Sequence, residues 1–182
     1  MIKYKKNPKG VATMEARERL IRVYRRVYAM PMLVRALRIT DALSTFFIAG
    51  VFLYGIGVLL FAGEYLYAAH LCTVAAIPFV AVSLMRLVIN SERPYEVFDL
   101  AELVPLREKR RKGASFPSRH VFSAFLIGTL WLPYSIPFGI AAVILGVYLA
   151  VERVLLGIHF VKDTAVGAVI GAISGLVGIL IL

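Results

Sequence analysis

The residues able to do chemistry in this chain stand at the ends of long apolar runs. Arg86 and Arg93 close one run, and Ser118, Arg119 and His120 open the next. Arg153 and His159 close another, and Asp163 opens the last. Ionisable groups beside hydrocarbon are costly unless they act together, so such positions mark a site. Four guanidiniums dominate the set, and their planar forks match the oxygens of a phosphate in bidentate geometry. A helix starting at Ser118 to His120 would add backbone N–H groups that favour an anion. Two histidines and one aspartate have the composition of a facial metal triad, but the arginines around them would repel a cation. A phosphate is the better occupant.

The elements that must carry these groups are hydrophobic helices. The 182 residues are 60% hydrophobic and only 18% charged, with a mean hydropathy of +0.80. A soluble domain has about 45–50% apolar and about 25% charged residues. The apolar excess lies in blocks long enough to cross a ~30 Å hydrocarbon core at ~1.5 Å per residue. The expected fold is therefore all-α, a multi-pass membrane helical bundle of about five transmembrane helices. The expected spans are Ala42–Gly63, Tyr65–Asn90, Ser118 to about Pro133, Ile136–Leu156 and Thr164–Leu182. With alternating direction, every polar span end named above falls on one membrane face. Residues 91–117 are too charged to span and form the longest loop.

The N-terminal part reads differently. Residues 1–13 are basic and broken by Pro8 and Gly10, as in a tail. From Met14 to about Thr40, Leu20, Val23, Tyr24, Val27 and Tyr28 recur at helical spacing, with Arg19, Arg22, Arg25 and Arg26 largely on another face. Pro31 should break or kink that helix. Seven arginines in this stretch forbid a span, and an amphipathic helix lying in the head-group plane suits them. The alternative is a helix seated on the protein's own loops. The expected division is thus residues 1–40, tail and interfacial helix, and residues 41–182, the membrane-embedded domain.

Charge and small residues add further expectations. The net charge of +10 on so apolar a chain points to anionic lipid head groups rather than nucleic acid as its partner. Eleven Lys and Arg precede the first span, ten lie between Arg86 and Lys162, and the turns on the opposite face carry none. The positive-inside rule then places the site on the cytoplasmic side of the cell membrane. A single cysteine excludes an internal disulfide. Gly167, Gly171 and Gly175 form a row that lets another helix approach closely, within the chain as the commoner use or in a homo-oligomer as the rarer one.

Three stretches carry a family resemblance. Arg86 to Pro94 reads R-x6-R-P, Pro117 to His120 reads P-S-R-H, and Arg153 to Asp163 reads R-x5-H-x3-D. In order and spacing they resemble the three signature motifs of the type 2 phosphatidic acid phosphatase superfamily. The resemblance implies a metal-independent, cofactor-free hydrolysis of a phosphomonoester or terminal diphosphate on a lipid. It suggests phosphatidic acid, phosphatidylglycerophosphate or a polyprenyl (di)phosphate as the substrate. It implies that His159 is the nucleophile forming a phosphohistidine and that Asp163 orients its ring. His120 would be the general acid and then the base for water. Arg86, Arg93, Arg153, Ser118 and Arg119 would surround the phosphate.

This chain departs from the pattern at three points. Arg86 stands for lysine, Arg119 for glycine and Glu152 for serine, which bears on substrate preference more than on chemistry. A lipid phosphotransferase using the same histidine, or a non-catalytic phospholipid-binding relative, is the alternative reading.

Overall fold

The computed structural model describes residues 10–98 and 113–181, with side chains from Arg17 onward. The basic tail at residues 1–9 and most of the "REKRRKG" run, residues 107–112, lie outside the described residues. Seven helices are described: α1 (Gly10–Tyr28), α2 (Pro31–Phe61), α3 (Tyr65–Ile89), α4 (Pro94–Val97), α5 (Arg119–Trp131), α6 (Ile136–Leu155) and α7 (Val161–Leu180). No strand occurs among the described residues. The fold is an all-α membrane bundle.

Burial runs opposite to that of a soluble protein. Phe46, Phe61, Leu66, Val88, Ile144 and Leu180 are among many large apolar side chains left exposed. They cover the outside of four helices that are long and apolar enough to cross a membrane: α2, α3, α6 and α7. Lipid tails satisfy such a surface as well as a core would.

The expected third span, Ser118 to about Pro133, is shorter than expected and enclosed by protein. Helix α5 has 13 residues, about 20 Å at ~1.5 Å per residue, short of a ~30 Å core. It is also enclosed: Val121, Phe122, Ala124 and Leu130 are at most 2% exposed. An all-round apolar helix is buried either in lipid or in protein, and periodicity alone does not separate the two. Here the neighbours are protein, chiefly α6 and α7. Ile48 and Val51 of α2 join Val121, Ala124, Ile127 and Leu149 in one cluster. Leu71, Val74 and Val82 of α3 join Phe122, Leu126 and Leu130 in a second.

Glycines set the closest contacts. A Cβ at Gly167 would lie 2.6 Å from the Ser118 carbonyl oxygen, and one at Gly175 would lie 2.6 Å from Thr129 Cβ. Gly171 meets the Phe122 carbonyl in the same row. The row is therefore filled by α5 of the same chain, the commoner use of such a row. Gly128 and Gly139 bring α5 and α6 together in the same way.

At the N-terminal end, Pro31 does break the amphipathic stretch. It takes the first turn of α2, where its missing N–H costs nothing. Helix α2 then runs 31 residues without interruption, so the boundary expected at residue 40 falls inside it. In α1 most of the apolar stripe is seated on protein, with Val23 left exposed. Tyr24 packs with Tyr95 of α4, Val27 packs with Leu156 and Ile158, and the Tyr28 hydroxyl donates to the Leu156 carbonyl at 3.0 Å. Arg19, Arg22, Arg25 and Arg26 remain exposed on the other side.

Candidate active site

The α5–α7 contact joins two of the three motif segments directly. Asp163 opens α7 one turn before Gly167, and its carbonyl accepts the Ser118 N–H at 2.9 Å. The expectation that the Ser118 amide faces a ligand is thereby corrected, because that donor is already used. The N–H groups of Arg119 and His120 in the first turn of α5 have no intrahelical acceptor.

His159 lies in the short connection between α6 and α7, 2% exposed. Its Nδ1 is 3.3 Å from Ser115 Oγ and 3.6 Å from Asp163 Oδ2. The second distance is too long for a hydrogen bond. Ser115 closes the gap, since its hydroxyl donates to Asp163 Oδ2 at 2.5 Å. With the hydroxyl proton committed to Asp163, its lone pair is left for Nδ1–H. The ring is then held with a bare Nε2, the tautomer a nucleophile needs. The same Asp163 oxygen accepts the Phe160 N–H at 3.0 Å. Burial pushes His159 down to about 4 against the pull of Asp163, and Arg153, Arg93 and Arg86 push it the same way as burial. The imidazole is therefore neutral at neutral pH.

Three guanidiniums converge on this corner, each 5–6% exposed. Arg86 ends α3 and donates to the carbonyls of Ser115, at 3.3 Å, and of Pro117. Arg93 precedes α4 and reaches the Gly113 carbonyl at 3.1 Å and the Ile158 carbonyl at 3.3 Å. These bonds tie the P-S-R-H segment and the His159 connection to the end of α3. Arg153 ends α6 and pairs with Asp41 of α2 at 2.5 Å. Ser118 Oγ is fully buried and has no hydrogen-bond partner among the described residues.

Arg119 and His120 are less enclosed. Both are half-buried and line a groove of about 680 Å³ between α2, α3 and α5. The groove wall is apolar, with Phe52, Ala76, Phe79 and Leu126 along it. The Arg119 guanidinium lies 5.9 Å from the centre of the Phe79 ring. Glu152 turns toward α2, where Thr40 Oγ1 donates to its carboxylate at 3.0 Å.

Sequence reasoning missed two residues. Ser115 stands two positions before Pro117 and acts through contacts with residues 44 and 48 positions later. Its only signal was its closeness to the P-S-R-H stretch. Asp41 sits 112 positions before Arg153, and its sole cue was a carboxylate at the start of an apolar run.

No similar sequence was found among curated proteins. Two solved structures share the fold. LpxE of Aquifex aeolicus superposes with a TM-score of 0.64 at 23% identity, covering 88% of this chain and 94% of that one. The first transmembrane PAP2 type phosphatidylglycerolphosphate phosphatase from Bacillus subtilis superposes with a TM-score of 0.60 at 22% identity, covering 94% and 86%. The profile described as PAP2 superfamily matches residues 66–182, well over half of the sequence and all three motif segments, and the chain belongs to that superfamily.

Proposed function

We propose that this protein is a membrane lipid phosphatase that works through a phosphohistidine on His159. The observation that carries this reading is the sealed corner itself. A neutral histidine with a fixed tautomer lies among three buried guanidiniums, with a buried hydroxyl, Ser118 Oγ, that a phosphate oxygen would satisfy. Few other ligands suit that combination.

The roles follow from position. His159 Nε2 attacks phosphorus, and the Ser115–Asp163 pair holds the ring and stabilises the charge that develops on it. Arg86, Arg93 and Arg153 neutralise the phosphoryl oxygens, so charge in the transition state is met by the chain's own cations without a metal. His120 faces the groove, on the side from which a leaving group would depart, and supplies its proton before activating water. The apolar groove suits a hydrocarbon tail, which keeps the head group at the level of the site. A lipid substrate also fits the phosphatases of similar fold, one of which acts on phosphatidylglycerolphosphate by its description.

The test is phosphate release from a panel of phosphorylated lipids in detergent, with chelator present. Wild type should release phosphate from at least one lipid, and His159→Ala should reduce the rate at least 1,000-fold, the scale of losing a covalent nucleophile. Comparable release by His159→Ala would refute the mechanism.

A further inference from the structure

The sequence departs from its superfamily pattern most visibly at Arg119, where glycine is usual, and the structure gives that departure a place. Of the eight residues marked from sequence, only Arg119 and His120 line the apolar groove. Arg86, Arg93, Arg153 and His159 are more deeply buried, at 2–6% exposed. A lipid tail in the groove would bring its head group beside these two side chains. Among the described residues no carboxylate is seen paired with Arg119, and its guanidinium lies over the Phe79 ring in the groove wall. A guanidinium on an aromatic face keeps its donors available to an anion. A neutral alcohol passing this point would leave that cation without a partner.

Resting on the lipid-phosphatase reading above, we infer that Arg119 makes the enzyme selective for a lipid diphosphate, whose leaving group is itself an anion. In the first step the His159 Nε2 lone pair forms a bond to the terminal phosphorus. The bond from that phosphorus to the bridging oxygen breaks, and its electron pair leaves on a lipid monophosphate. That group has a second pKa of about 6 and departs without needing a proton, so its charge rather than its basicity must be met. Arg119 meets it. Water then attacks the phosphohistidine, His120 takes the proton, and inorganic phosphate and free His159 are regenerated. With a monophosphate lipid the leaving group is an alkoxide, which needs the His120 proton and gains little from Arg119.

The experiment compares a prenyl diphosphate with the monophosphate of the same prenol, using the full-length protein in detergent. Wild type should favour the diphosphate in kcat/KM. Arg119→Gly should lower the diphosphate-to-monophosphate ratio about 10- to 100-fold, the worth of one charge-assisted hydrogen bond to a buried anion. Arg119→Lys keeps the charge without the fork and should lower the ratio less; should Arg119→Gly not fold, it is read the same way. His120→Ala should move the ratio upward. A wild-type preference for the monophosphate, or a ratio unmoved by both Arg119 variants, overturns the inference. The two failures are separable. His159-dependent turnover with an unmoved ratio sinks only the role of Arg119, whereas turnover that survives His159→Ala sinks the reading of the site.

Discussion

His159, Asp163 and Ser115 are 2%, 0% and 0% exposed, whereas Arg119 and His120 stand half-buried at the groove. The enclosed corner is fixed by backbone. The glycine row of α7 lies against α5, the Ser118 amide bonds the Asp163 carbonyl, and buried arginines hold loop carbonyls. The groove side is fixed mostly by side chains, a cation over a ring among apolar walls. A reaction that depends on one ring orientation tolerates little movement. Recognition of a lipid tolerates more, and of the three departures from the superfamily pattern Arg119 alone lines the groove.

The contrast can be broken from the backbone. Gly167→Val places a branched side chain where even a Cβ would lie 2.6 Å from the Ser118 carbonyl oxygen. Overpacking of this kind costs about 1–3 kcal/mol and here also separates Ser118 from Asp163. We expect turnover to fall more than 100-fold with every lipid, together with a lower melting temperature. Gly50→Val is the control, since nothing lies within 4 Å of a Cβ there. Equal behaviour of the two variants would show that the α5–α7 approach does not hold the corner.

A smaller change sharpens the same contrast. Ser115→Ala leaves the backbone alone but removes the bridge from His159 to Asp163. One hydrogen bond of this kind is worth about 1–1.5 kcal/mol, so kcat should fall about tenfold with little change in KM. The pH profile gives the sign. His159 must be neutral to attack, and burial holds it at about 4, so the acid limb of wild-type activity lies well below the ordinary histidine value of about 6.5. Removing an acceptor from Nδ1–H disfavours the imidazolium and moves the limb lower still. A limb that rises toward the ordinary value in Ser115→Ala would contradict the bridge. The same group affects stability: its folded value is depressed, so stability is complete above pH ~6.5 and declines as pH falls toward about 4, because the unfolded chain takes the proton first.

Much of this was legible in the chain before any fold was known. The three motif segments, their placement at span ends and the phosphate-matching arginines are local spacings. The glycine row predicted a close helix contact, though not its partner. What escaped the sequence was tertiary. The enclosure of helix α5 was not legible because Leu, Ile and Phe serve lipid and protein neighbours equally, and it depends on helices on every side. The α1 stripe of Leu20, Tyr24 and Val27 is amphipathic whether it meets lipid or the His159 connection. Asp41 and Ser115 carry no spacing signal at all, since each matters through one long-range partner, Arg153 in one case and His159 in the other.

In the proposed mechanism His159 becomes covalently phosphorylated while the rest of the sealed corner holds still. Phosphohistidine is stable in alkali, so the direct measurement is a rapid alkaline quench during turnover of a lipid substrate, followed by peptide mass analysis. We expect phosphate on His159 in wild type, none in His159→Ala, and accumulation in His120→Ala, where water is no longer activated. Phosphate on another residue, or turnover with His159 unmodified at every quench time and in both backgrounds, would contradict it.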